Sequence, residues 1–250
     1  MSNVYQTPES NLVNENVSTG DYGSVEKALR GEYQFTIGSI LSEAWAKTGG
    51  SKWIFMLGFI LYFLTFVGII IALGIVIAGL TAVTQEPAIV GFFQFVIQLG
   101  INLIVMPMVM GIFMMGVRRS VDAPISSGMI FNYFSKMLPL FVAVILINVL
   151  VIFGFILLVI PGIYLMISYG FAMPLIVEKG MRPWQAMETS RKAITHRWFS
   201  VFFLFIVMFV IVMIAMFTVI GLIWVLPMLM IAYGILYRNV FGVEATTIIE

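Results

Sequence analysis

The only histidine of the chain, His196, stands in a polar island, 178–198, with five of the thirteen basic residues: Lys179, Arg182, Arg191, Lys192 and Arg197. Two chemistries suggest themselves, a histidine-assisted nucleophile and phosphate binding. A serine hydrolase needs a base beside its nucleophile and a third group to orient that base. No serine here sits in a nucleophile-elbow pattern, and His196 adjoins Arg197. Simple placement at an interface accounts for the histidine better. A zinc or di-metal site needs three or four converging ligands. One histidine, no cysteine and scattered carboxylates do not supply them. There is also no P-loop and no GxGxxG.

Methionine is the other candidate ligand. Met106, Met110 and Met114 recur every four residues, with Met108 and Met115 beside them. Thioethers select Cu(I), but methionine is also a flexible filler of apolar packing. With no Cys or His nearby, packing is the expectation. Asn148, Ser168 and Tyr169 could line a polar path, or simply hydrogen-bond between helices. No catalytic residue, metal or other cofactor is expected, and no nucleic-acid partner.

The elements that position these residues follow from composition. The chain is 61% hydrophobic and 10% charged, against roughly a quarter charged in soluble domains. Its apolar runs are continuous rather than alternating, so they read as transmembrane helices and not as barrel strands. The spans expected are 53–80, 89–117, two within 138–176, and two within 198–237. Pro161 and Gly162 are placed at the third-to-fourth hairpin turn, because proline disfavours helix just before it and glycine permits a turn. The fourth span, 163–176, is short. A turn near Gly221 separates the last two.

Charge sets the orientation. Lys27, Arg30, Lys47 and Lys52 precede the first span. Arg118, Arg119 and Lys136 lie between the second and third, five basic residues lie between the fourth and fifth, and Arg238 follows the sixth. The opposite loops carry none, so both termini are expected in the cytoplasm. No Asp, Glu, Lys, Arg or His falls inside a span, which argues against ion-coupled transport and membrane-embedded catalysis.

Three segments read as amphipathic helices at the membrane interface. In 36–48, Ile37, Ile40, Leu41, Ala44 and Trp45 share a face. In 126–136, Met129, Ile130, Tyr133 and Phe134 do so. In the island, Trp184, Met187, Ile194 and Trp198 share one side with Arg191, while Gln185, Glu188, Lys192 and Thr195 point away. Each segment precedes a basic residue and a hairpin, which suggests approximate repeats over 36–117, 126–177 and 183–238. Gly68, Gly74, Gly79, Gly111 and Gly116 invite close helix packing. Residues 1–34 hold five acids and few large apolar groups. They are expected to form a disordered, uncleaved cytoplasmic tail, with 5–10 as a possible docking motif.

The fold class expected is therefore an all-α integral membrane protein with six transmembrane helices as three hairpins, each preceded by an amphipathic interfacial helix. Its membrane domain covers 35–250. Arg191, Lys192, Arg197, Arg182 and Glu178 are the candidate lipid or partner contacts. Arg191 is the most pointed, since a guanidinium on an apolar face must snorkel or find acceptors. Glu178, the carbonyls ending the fourth span, or an anionic headgroup could serve.

Pro161-Gly162-Ile163-Tyr164-Leu165, the run Phe171-Ala172-Met173-Pro174-Leu175-Ile176-Val177-Glu178, and Ala186 with Ser190-Arg191 resemble the core signature of the uncharacterised YciC-type bacterial inner-membrane family. They are also similar to the membrane domain fused to some glycerophosphodiester phosphodiesterases. The resemblance covers roughly residues 130–240. It implies a bacterial six-span inner-membrane protein, and it carries no phosphodiesterase activity, because the acidic and histidine residues of that separate soluble domain are absent. The function expected is a non-enzymatic scaffold or accessory subunit acting through lipids, or through a protein partner at the N-terminal tail. A channel or transporter for lipid-like or small neutral solutes is the alternative.

Overall fold

Ser24 accepts a hydrogen bond from the Lys27 amide (3.1 Å) and so caps a first short helix, α1 (Val25–Arg30). Gly31, with φ +74°, closes it. The computed structural model describes residues 22–84 and 86–249, and among them it is all-helical. The disordered tail expected over 1–34 is thus corrected from Tyr22 onward. Ala28 and Tyr33 are buried and hold this segment to the rest of the fold. Residues 1–21, including the possible docking motif, lie outside the described residues.

Thr36 and Ser39 form a reciprocal capping box at the start of α2 (Ile37–Thr48). A helix is present over the expected segment, but the face carrying Ile40 and Ala44 is not free to meet lipid. Ile40, Ala44 and Thr48 are buried, chiefly against α10 (Leu222–Phe241), while Trp45 is exposed. α3 (Lys52–Val83) and α4 (Pro87–Ser120) form the longest hairpin, about 48 and 51 Å at ~1.5 Å per residue. α3 buries only Phe55 and Gly58, and α4 buries nothing before Val105. The outer halves of both therefore present apolar side chains outward. Gly68, Gly74 and Gly79 accordingly touch nothing, contrary to expectation, whereas Gly111 and Gly116 do make close contacts.

The segment 126–136 is not an amphipathic α-helix. It forms two short 3₁₀ turns, Ser127–Phe131 and Phe134–Lys136. Burial of Met129 and Ile130 pins the first turn, and Gly111 admits it: a Cβ there would lie 2.4 Å from Ile130 Cα. The middle unit thus lacks the helix that the repeat reading requires.

α5 (Met137–Leu157) leads to α6 (Val159–Ser168), α7 (Ala172–Glu178), α8 (Pro183–Thr195) and α9 (Trp198–Thr218); α11 (Ala245–Ile249) ends the described chain. The α5–α6 reversal occurs at Leu158 (φ −165°, ψ 155°), three residues before the expected Pro161-Gly162 turn. Pro161 instead occupies the first turn of α6, where amides have no intrahelical acceptor to lose. Gly162 serves packing, since a Cβ would lie 2.4 Å from the Phe155 ring. The fourth apolar stretch is interrupted at 169–171, between α6 and α7.

Six stretches are long and apolar enough to cross a membrane: Lys52–Val83, Pro87–Ser120, Ser127–Leu157, Val159–Glu178, Trp198–Thr218 and Leu222–Phe241. α10 is the most enclosed of them. It meets α4 backbone to backbone: a Cβ on Gly116 would fall 2.0 Å from the Met230 carbonyl oxygen, and one on Gly234 2.2 Å from that of Gly116. Met108, Met110, Met114 and Met115 lie in the apolar core here. Packing is their observed role.

Candidate functional site

The break between α6 and α7 leaves backbone groups without helical partners, and α8 supplies one. Ser190 donates to the Ser168 carbonyl (2.6 Å) and accepts from the Phe171 amide (3.2 Å). Tyr233 of α10 donates to the Gly170 carbonyl (2.7 Å). The Phe171 ring stacks on Tyr233, with centroids 4.8 Å apart. α8 therefore closes a broken helix. Among the described residues, Ser168 Oγ is the one buried side-chain polar atom with no partner. Asn148 donates to the Val144 carbonyl of its own helix (2.8 Å).

The island residues separate into three places. Arg191 donates twice to Glu188 (3.0 and 2.8 Å), and Lys192 lies 3.4 Å from the same carboxylate. Arg191's partner is thus one turn back on its own helix, and not Glu178. The hydrogen bond from Arg191 holds the Glu188 carboxyl below its ordinary range, and Glu188 in turn raises the guanidinium. Glu178 lies at the other end of α8. It accepts from Tyr237 (2.8 Å) and from the Glu244 amide, and it pairs with Lys179 at 3.1 Å. Arg182 precedes α8 as its N-terminal cap position.

Arg197 occupies the third place. It lines an open cavity of about 660 Å³ with Tyr22, Lys27, Glu32, Tyr33, Gln34 and Asn239, so two cations and one carboxylate face it. Arg197 and Lys27, like Lys52, Arg118, Lys136 and Arg182, have no ion pair among the described residues, whereas Arg30, Lys47, Arg119, Lys179, Arg191, Lys192 and Arg238 all do. Tyr33 donates to the Ala193 carbonyl (2.8 Å). Burial pushes its hydroxyl up to about 12, with Arg197 acting in the opposite direction, so it stays a neutral donor. A second depression joins Arg197 to Arg30, His196, Trp198 and Phe199. His196 Nε2 lies 3.0 Å from the Leu29 carbonyl oxygen. Its partner is backbone, in the segment that ends α1.

Two residues of consequence escaped the sequence reading. Arg238 donates to both carboxylate oxygens of Glu43 (2.9 Å each), to the Ser120 carbonyl, and rests 4.7 Å from the Tyr22 ring. This one guanidinium joins the N-terminal segment, α2, α4 and α10. Residues 195 positions apart give no local signal of such pairing. The hint available was an arginine ending an apolar run and a glutamate on a helix whose one other charge is Lys47. Among the described residues no group of three or more His, Cys, Asp or Glu converges on a metal position. No protein family, curated protein or solved structure matches the chain.

Proposed function

We propose that this is a non-enzymatic, multi-pass protein of a bacterial inner membrane, with both termini cytoplasmic. It acts as a scaffold or accessory subunit through anionic lipid headgroups and a protein partner. The observation that carries the reading is the cavity where Arg197 and Lys27 stand unpaired among the described residues, next to Trp198 and the exposed Phe199 at the start of α9. A lipid phosphate there would take charge-assisted hydrogen bonds from both cations. Its acyl chains would follow the apolar outer face of α9, where Phe203 and Ile206 are also exposed. Each basic residue near an anionic surface contributes about 1 kcal/mol. The bacterial inner membrane and the cytoplasmic termini rest on the family resemblance and on the one-sided basic residues.

The channel alternative has less behind it. From Pro227 to Phe241 the central helix α10 is buried at most positions, with Phe171 packed against its Tyr233, Tyr237 and Phe241. Native mass spectrometry of protein in nanodiscs containing phosphatidylglycerol tests the proposal. The wild type is expected to keep an anionic lipid that Lys27→Gln/Arg197→Gln loses. An unchanged set of bound lipids and co-purifying proteins in that variant overturns it.

A further inference from the structure

We infer that α5 and α6 do not cross the membrane but form a re-entrant hairpin, whose apolar tip ends in the hydrocarbon of the leaflet that it enters. The first observation is the tip itself. From position 149 to 163 there is no polar side chain. Ile156, Leu158, Val159 and Ile160 point out of the fold, 62–78% exposed. The α3–α4 tip differs: it carries Thr81, Thr84, Gln85 and Glu86, as a loop emerging into water should. A tip that met the far aqueous phase would expose those aliphatic side chains to water at ~25 cal/mol per Å².

The second observation limits how deep the tip can reach. Tyr164 is tied to the charged end of α8. Its carbonyl accepts from Trp198 Nε1 (3.3 Å), and its hydroxyl lies 2.6 Å from Thr195 Oγ1. His196 and Arg197 stand between those two partners in sequence, and Lys192 is one turn back. Leu158 is six residues from Tyr164, which is at most about 9 Å of helix. The other arm agrees. Leu146, Ile147, Leu150 and Val151 of α5 pack against the cluster of Tyr169, Ala172 and Met187, and α5 touches α8, so only the seven residues after Val151, 152–158, about 10 Å, extend beyond that cluster.

The hydrocarbon core is about 30 Å thick. If the tip reached the far side, the Tyr164 level and the end of α8 would lie roughly 20 Å inside it. Arg191, Lys192 and Arg197 would then be in hydrocarbon, at about 2.5–3.5 kcal/mol per charge near the centre. With α8 at the headgroups, only apolar side chains enter. A re-entrant hairpin returns the chain to the side it left, so the one-sided distribution of basic residues holds equally well. The partner of this surface is the acyl-chain layer of one leaflet. The inference does not depend on a headgroup in the Arg197 cavity.

The chain has no cysteine, so single-cysteine variants report without background. Thr84→Cys marks the α3–α4 tip and Glu26→Cys the charged side. Leu158→Cys and Ile160→Cys probe the hairpin at two exposed positions. In sealed vesicles of both orientations, a membrane-impermeant maleimide should label each marker from one side only. It should label neither hairpin position from either side until detergent is added. A spin label at 158 should show high oxygen and low nickel-complex accessibility. Labelling of either hairpin variant from the Thr84→Cys side, at a rate comparable to that marker, overturns the inference. Labelling from the Glu26→Cys side overturns it too, because the tip would then lie in the headgroups.

Discussion

Two buried serines, 22 positions apart, should respond oppositely to the same substitution. Ser190 and Ser168 are both fully buried. Ser190 Oγ bridges the α6–α7 break, donating to the Ser168 carbonyl and accepting from the Phe171 amide. Ser190→Ala leaves both backbone groups buried and unsatisfied, and each such group costs about 1–3 kcal/mol. Burial denies them water, so the expected loss is about 2–4 kcal/mol. Ser168 Oγ has no partner. Ser168→Ala removes an unsatisfied hydroxyl at little change in volume, so it should be neutral or stabilise by up to about 1 kcal/mol. Equilibrium unfolding in mixed micelles, followed by tryptophan fluorescence, measures both. Ser190→Thr, which keeps the hydroxyl, should recover part of the loss. Equal losses for the two alanine variants, or a larger loss at Ser168, would refute the hydrogen-bond accounting of the break.

Glu43→Gln should cost about 2–3 kcal/mol, below the usual figure for breaking a buried pair, because Arg238 keeps the Ser120 carbonyl and the Tyr22 ring. A double-mutant cycle with Arg238→Gln should show coupling above about 1 kcal/mol, whereas the exposed Glu26–Arg30 pair should show about 0.5 or less. Gly116→Ala should destabilise by about 1–3 kcal/mol or more, because its Cβ meets the Met230 backbone carbonyl; Gly74→Ala, in open space, should not destabilise. Thermal melts of both variants check this. Glu188 has a lowered pKa through Arg191, so its contribution is full above the unfolded carboxylate value of about 4.3 and is lost as pH falls through the lower folded value. The stability difference between wild type and Glu188→Gln should therefore be flat near neutrality and close in acid.

Much of this protein is written in one dimension. Hydrophobic runs, and basic residues confined to alternate loops, are local quantities. They determined the membrane class and six stretches of spanning length. Thr36 and Ser39 marked a helix start because capping is settled within one turn. The polar island at 178–198 was also recognisable as the place where cations gather. What the sequence misassigned depends on who stands opposite. Pro161-Gly162 looks like a turn until Phe155 is seen to need the glycine. Arg191 looks orphaned until Glu188 is found on its own helix, and Glu178 is found occupied by Tyr237 and Lys179. Lys27 looked like part of a tail until Tyr33 packed that tail under Arg197. The Arg238–Glu43 pair and the Gly116–Gly234 contact join distant elements, and so only tertiary packing decides them. The depth of the α5–α6 hairpin is of the same kind. Its length in residues suits a crossing, but a hydrogen bond from Trp198 to Tyr164 limits how far it can go.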